Sequence, residues 1–318
     1  MVITMKYRVG IDLGGTNIAV GVVNENYEIV GRAKVKTRLP RPAAEIIADM
    51  AEAAREAVSA AGVAMDDVIF VGVGTPGIAN AATGIVEYSC NLDFHNVPLC
   101  KMLSEHLGKE VQIANDANAA ALGETLAGAA KGAKNSMFIT LGTGVGGGVI
   151  IDGKIYCGVN FAGAELGHTV IMMDGEECGC GRKGCWEAYA SATGLVRQTK
   201  AAMEQNPDSL MWEFSRKAGA VNGRTSFDAM RAGDAAGKAV VDTYINYVAC
   251  GLVDMINIFQ PEVLFIGGGI CKEGDTLLIP LQKYINREHY SHYSEIQTRV
   301  CVAELGNDAG IIGAAFLK

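Results

Sequence analysis

The chain has 318 residues, 49% of them apolar, with a formal net charge of −8 and 9 cysteines. That length suits two domains or one large α/β unit, and an acidic balance without a Lys/Arg cluster points away from nucleic acid. No apolar run reaches about 18 residues without a charged or strongly polar break, and Met1 to Tyr7 is too short for a signal segment. A cytoplasmic protein without a membrane partner is therefore expected.

The opening stretch Tyr7–Val23 is apolar and β-branched on both sides of Gly14-Gly15, the pattern of strand, glycine turn, strand. A third strand is predicted over Ile29–Lys36. Past Pro40 and Pro42, Ala43 to Ala61 carries Ile46, Ile47, Met50, Ala54 and Val58 at helical spacing, and Gly62 is the expected stop. Val68–Val73 is a short apolar strand that runs into Gly74-Thr-Pro-Gly77. Val111–Ala114 is another, followed by Asp116 and an Ala-rich helix over Ala117–Ala130. Met137–Thr140, a glycine loop at Gly142–Gly148 and Val149–Asp152 repeat the first pattern. A long helix near Ala235–Phe259, a strand at Val263–Ile266, a turn at Gly267–Gly269 and a helix around Gly310–Leu317 complete the chain. Two halves that each open on a glycine hairpin predict an internally duplicated α/β fold.

Three of the cysteines crowd into one stretch, Cys178-Gly-Cys180-Gly-Arg-Lys-Gly-Cys185, ten residues after His168. Three thiolates and one imidazole fill a zinc tetrahedron and leave no open position, so a structural Zn²⁺ is expected there. Glycines at 179, 181 and 184 let the backbone turn between ligands. The scattered Cys90, Cys100, Cys157, Cys250, Cys271 and Cys301 are expected to be small buried hydrophobes.

Asp12-Leu-Gly-Gly-Thr-Asn17 and Gly142-Thr-Gly-Val-Gly146 offer backbone N–H groups with little side-chain bulk, as phosphate-binding turns do. Neither is a Walker A loop, and a strand rather than a helix follows each. With the turn at Gly267–Gly269 they point to a nucleotide. Asn115-Asp116-Ala-Asn118 stands at a strand end before a helix, where it serves either as a helix cap or as a ligand site. Phosphoryl transfer to a sugar hydroxyl needs one carboxylate to take its proton, and Asp116 is the candidate. Glu165 and Glu187 flank the cysteine run and are either a solvated face or acceptors for sugar hydroxyls.

Taken together, these segments resemble the ROK family (repressors, open reading frames and kinases), and its bacterial glucokinases most of all. The motifs that carry the likeness are Ile11–Asn17, Asn115–Ala120, Leu141–Gly148, Ala164–His168 with Cys178–Glu187, Val263–Gly269 and Leu305–Ala314. The resemblance implies an actin-like (ribonuclease H-like) fold of two lobes with a cleft. The expected lobes are a small one, residues 1–116 plus 304–318, and a large one, residues 117–303. It implies ATP-dependent phosphorylation of a hexose at the 6-hydroxyl, glucose foremost, with Asp116 as general base. N-acetylmannosamine, fructose or allose is the alternative sugar.

By the same resemblance Gly77, Asn91, Asn115, Glu165, His168 and Glu187 belong to the sugar site. Gly14, Gly15, Thr16, Asn17, Gly142, Thr143 and Gly144 belong to the phosphates, and Gly268 and Gly269 to adenosine. Asp12 is assigned to Mg²⁺, and His168, Cys178, Cys180 and Cys185 to Zn²⁺. A homodimer or homotetramer is implied. The few residues ahead of Tyr7 and the acidic charge point away from the family's DNA-binding repressors. Two departures from the glucokinase pattern, Asn80 and Phe94, fall near the sugar-site loops.

Overall fold

A computed structural model describes residues 6–317, so the expectation about a leader at Met1 to Tyr7 lies almost wholly outside the described residues. Along the chain, strands β1 (Tyr7–Leu13), β2 (Asn17–Val23) and β3 (Ile29–Lys36) lead into helix α1 (Ala43–Ala60) and strand β4 (Val68–Thr75). Three short strands follow, β5 (Ile78–Asn80), β6 (Ile85–Ser89) and β7 (Phe94–Val97), then α2 (Leu99–Leu107), β8 (Val111–Asn115) and α3 (Asp116–Ala127). The pattern starts again with β9 (Ser136–Leu141), β10 (Val145–Ile151) and β11 (Lys154–Tyr156). Helices α4 (Trp186–Ala190), α5 (Ala192–Gln205), α6 (Met211–Ala218), α7 (Thr225–Arg231) and α8 (Ala235–Phe259) come next. The chain closes with β12 (Val263–Gly267), α9 (Asp275–Glu288), β13 (Arg299–Val302) and α10 (Asp308–Ala315).

Two five-stranded sheets have the orders β3-β2-β1-β4-β8 and β11-β10-β9-β12-β13. Counted from its own first strand, each reads 3-2-1-4-5, so the expected duplication is present in the strand order. In the first sheet β1–β2 and β2–β3 are antiparallel while β1–β4 and β4–β8 are parallel. The β10–β11 and β12–β13 pairs keep the same senses.

Contacts group the chain into two units. One runs through Phe138 and adds Gly148–Ala164 and the chain from Ala303; the other holds Ile139–Gly147 and Glu165–Val302. This division differs from the boundary expected at Asp116, because α3 packs on α10. A Cβ at Gly313 would fall 1.7 Å from the Ala119 carbonyl oxygen, and one at Gly123 would fall 2.1 Å from that of Ala309. Helices this close share a unit. The same α10 lies on the sheet where Gly10 and Gly72 leave room for its backbone.

The opposite face of the first sheet buries Val9, Ile11, Leu13, Ile18, Val20 and Val22 against Ile46, Ile47, Met50 and Ala54 of α1. Each fully buried aliphatic side chain of this kind contributes about 1.5–3 kcal/mol. In the second unit Trp186 is fully buried and donates its indole N–H to the Tyr247 carbonyl at 2.8 Å. Helix α8, which carries Tyr247, is long and apolar enough by composition to cross a membrane, but 61% of its most apolar window is buried within the protein.

Two expectations change. The glycine run expected as a loop over Gly142–Gly148 is a turn only as far as Gly144, since β10 begins at Val145. Gly147 and Gly148 are strand residues that admit close neighbours, Leu166 for one and Ala121 for the other. The six scattered cysteines are not buried: Cys90 is exposed and the others are half-buried. Cys100 is in the first turn of α2, Cys250 on a half-buried face of α8 and Cys301 in the edge strand β13, so place in the fold and not intrinsic hydrophobicity sets their exposure.

Candidate active site

In the first unit the Gly14 hairpin closes with the Gly14 N–H donating to the Asn17 carbonyl at 2.9 Å. Thr37 braces it from behind: its hydroxyl donates to the Gly14 carbonyl at 2.6 Å and its N–H to the Thr16 carbonyl at 3.0 Å. The N–H groups of Gly15 and Thr16 have no partner among the described residues and lie in exposed backbone, as an anion site requires. Asn91 comes close: a Cβ at Gly15 would lie 3.7 Å from its carbonyl oxygen.

Asp12, at the end of β1, lines a cavity of about 780 Å³ together with Gly14, Gly15, Asn17, Lys34 and Asn307. Burial, and then the charge of Asp116, push the Asp12 carboxyl up to about 6, against the pull of Lys34. Register explains the role of Lys34. Asp12, Ala19 and Lys34 form one row across β1, β2 and β3, so the lysine and the carboxylate share a face with only the small Ala19 between them. Sequence reasoning missed Lys34, although the alternation Arg32, Lys34, Lys36 in β3 is a period-2 signal for one charged face.

Asn115 ends β8 and caps α3, its side-chain oxygen accepting from the N–H groups of Ala117 and Asn118 at 2.9 and 3.3 Å. Its amide donates to the Gly77 carbonyl at 3.2 Å. Gly77 has φ of +96°, and a Cβ there would strike the Tyr88 carbonyl oxygen at 2.1 Å, so glycine is required. With the cap supplied by Asn115, Asp116 is held at the first turn of α3. Burial raises its carboxyl above the ordinary carboxylate range, although a backbone N–H bond from Ala117 lowers it in part. A raised carboxylate next to another acid suits proton transfer better than simple capping.

The departures at Asn80 and Phe94 serve their own surroundings. Asn80 donates to Glu87 at 2.7 Å and accepts from the N–H groups of Ala82 and Thr83. Phe94 is buried in the hydrophobic core of its unit.

In the second unit His168 and the three cysteines converge, one donor atom from each lying within 4.8 Å of all the others. Cys178 Sγ is 3.6 Å from His168 Nδ1, and Cys180 Sγ is 3.7 Å from Cys185 Sγ. Around Zn²⁺ with Zn–S of about 2.3 Å and Zn–N of about 2.0 Å, a tetrahedron has S–S edges of about 3.8 Å and S–N edges of about 3.5 Å, so both separations fit the metal. The Cys180–Cys185 separation is far too long for a disulfide. Gly181 and Gly184 supply the left-handed turns the knuckle needs, with φ of +87° and +77°. Arg182 donates to the His168 carbonyl at 3.1 Å and ties the two ligand segments together. Glu165 precedes the short 3₁₀ turn Leu166–His168, and its carbonyl accepts the His168 N–H at 3.1 Å.

The second glycine turn, Gly142–Gly144, is held to α4 and α5. Ala192 N–H donates to the Gly142 carbonyl and the Thr193 hydroxyl to the Thr143 carbonyl, each at 2.8 Å. Glu187 accepts from the Val145 N–H at 2.9 Å. Nothing in the local sequence around Thr193 marks this contact, which joins positions 50 residues apart. Gly268, with φ of +99°, lies against Leu141, where a Cβ would meet the carbonyl oxygen at 2.2 Å; Gly269 beside it faces open space.

The expected site residues therefore form two sets. Asp12, Gly14–Asn17, Gly77, Asn91, Asn115 and Asp116 belong to one unit; Gly142–Gly144, Glu165, His168, the cysteines, Glu187, Gly268 and Gly269 belong to the other.

Comparison with known proteins matches residues 8–318 to the ROK family. A glucokinase of Halalkalibacterium halodurans is 38% identical over 98% of this chain and 94% of that protein. A glucokinase of Thermotoga maritima is 37% identical over 96% of this chain and 95% of its own length. The crystal structure of a ROK family glucokinase from Streptomyces griseus, in complex with glucose and AMPPNP, superposes with a TM-score of 0.78. It is 35% identical and covers 97% of this chain and 98% of that one. The fold is accordingly α/β and actin-like. A motif set shared from the first glycine hairpin to the last helix places this chain in the ROK family.

Proposed function

We propose that this protein is a hexose kinase that transfers the γ-phosphoryl group of ATP to the 6-hydroxyl of glucose. The observation that carries the proposal is Asp116, a buried carboxylate with raised proton affinity at a strand end, oriented by the Asn115 cap and close in charge to Asp12. In this reading Asp116 accepts the hydroxyl proton as the phosphoryl group moves. Asp12 holds Mg²⁺ through water, opposite the unpartnered amides of Gly15 and Thr16. Gly14–Asn17 and Gly142–Gly144 receive the phosphates, and Gly268 with Gly269 flank the adenosine.

Sugar hydroxyls fall to Asn91, Asn115, Glu165, His168 and Glu187, with the Gly77 turn close by. Zn²⁺ at His168, Cys178, Cys180 and Cys185 is structural: the set is closed, so the metal fixes loop positions and takes no part in the chemistry. Free thiols throughout the chain suit the cytoplasm, where ATP is also supplied. A homodimer or homotetramer completes the proposal.

Glucose is the preferred hexose in this reading because the chain is similar over nearly its whole length to glucokinases, and the two departures from their pattern, Asn80 and Phe94, are engaged with their own turn and core. The test is ADP release with MgATP against glucose, N-acetylglucosamine, N-acetylmannosamine, mannose, fructose and allose. Glucose should lead by at least about tenfold in kcat/KM, on the order of the net contribution of one hydrogen bond. A lead for another sugar overturns the glucose assignment alone; no turnover with any of them overturns the kinase reading.

A further inference from the structure

We infer that Glu187 is a strut between the metal centre and the second phosphate turn, so that metal occupancy sets nucleotide affinity. The inference rests on the kinase reading above and concerns the regulation of that same site. Its geometry lies within one unit.

One oxygen of Glu187 accepts the Val145 N–H at 2.9 Å; the other lies 3.6 Å from Cys178 Sγ. Cys185 is the N-cap of α4, two positions before Glu187, so two of the four metal ligands flank this carboxylate, one along the chain and one in space. The residue between them, Trp186, is fully buried and anchored through its indole N–H. The backbone at Glu187 is therefore fixed by the buried tryptophan, and its carboxylate is held between Cys178 and the Val145 N–H.

On the other side, the carboxylate determines what the turn can be. A Cβ at Gly144 would fall 2.3 Å from the Glu187 oxygen, so glycine lets the turn approach while the carboxylate stays on the Val145 N–H. The next elements, from the Ala192 N–H and the Thr193 hydroxyl, continue the same attachment to Gly142 and Thr143. Among the described residues, the non-local hydrogen bonds to this turn and to Val145 thus come from the segment that begins at Cys185. A backbone turn presents its N–H groups to phosphate only if its carbonyls are held the other way, and this segment holds them.

Release of the metal frees Cys178 and Cys185, lets Glu187 move, and removes a charge-assisted hydrogen bond from the Val145 amide. A site of this kind reports metal loss as weaker nucleotide binding, whether or not sugar is present.

The experiment uses the full chain, loaded with Zn²⁺ and then stripped by a chelator. Metal content, hydrogen exchange at residues 142–148 and calorimetric affinity for ADP without sugar are measured on both forms. Stripping should remove about one Zn²⁺ per chain, deprotect the Val145 amide and weaken ADP binding about tenfold, the usual scale for one hydrogen bond to a charged group. Glu187→Gln keeps an acceptor and should retain most of the protection, whereas Glu187→Ala should lose it even with the metal bound. Thr193→Val, outside the metal centre, should weaken ADP binding without altering metal content. Stripping that leaves Val145 protection and ADP affinity unchanged overturns the strut while the kinase reading stands. An absence of bound zinc in the purified protein overturns the strut and the metal assignment together.

Discussion

The two glycine hairpins occupy matching places in two sheets of identical order, yet their surroundings differ. The first, Gly14–Asn17, has charged groups beside it. Asp12 lies at its base with a carboxyl raised to about 6, Lys34 faces it along the strand row, and Asp116 acts on it through charge. Thr37 braces it from behind. The second, Gly142–Gly144, has the Glu187 carboxylate beside it, and that group is engaged with the Val145 N–H. It is braced at three positions by the segment that follows the cysteine knuckle. The same strand order occurs twice. In the proposed reading one copy carries the acid–base chemistry, and the other is a cradle fixed to the cysteine knuckle.

The sharpest way to break this division is Asp116→Asn. Turnover should fall by about 10³–10⁴ while glucose affinity, measured by calorimetry, changes only a few-fold. Turnover close to that of the unaltered protein would remove the chemistry from the first hairpin's side.

A smaller effect tests the electrostatics. Asp12 is raised to about 6 from its ordinary 3.8, so folding favours its protonated form. That contribution to stability is complete below about pH 3.8 and is lost as pH rises through about 6. Asp12→Asn, measured without Mg²⁺ in urea at pH 8, should be more stable than the parent by up to about 3 kcal/mol, and the gain should vanish near pH 4. Equal stability at pH 8 would mean that Asp12 is not held in a desolvated, acid-rich place.

The smallest effect contrasts the turns directly. Gly144→Ala places a Cβ 2.3 Å from the Glu187 oxygen that accepts the Val145 N–H, so the carboxylate must swing off that amide, and the loss should cost about 1–3 kcal/mol in urea unfolding. Gly14→Ala meets only the Asn17 carbonyl oxygen, at 3.2 Å, and should cost less than about 1 kcal/mol. Similar costs at the two positions would mean that the second turn is no more firmly fixed than the first.

Much of the site was legible in the sequence. The ligand set at His168, Cys178, Cys180 and Cys185 is compact and chemically distinctive, and it converges as expected. The strands Ile29–Lys36 and Val68–Val73 and the helix from Ala43 were readable because β-branching, period and a glycine stop act within a few residues. The start of β10 at Val145 was not, because glycines are neutral between turn and strand and pairing with the sheet decided it. The half-exposed cysteines were missed for a related reason: burial is a property of neighbours, not of the residue.

The sequence by itself determined the donor types, the two glycine turns and the order of elements, all set by local sterics and by side chains close together in the chain. Only the tertiary structure decided that α3 joins the first unit through α10, that Asp12 is desolvated beside Lys34, and that Glu187 ties Val145 to the metal ligands. Those outcomes depend on desolvation and on contacts between residues tens to hundreds of positions apart, which leave no periodic trace in the chain.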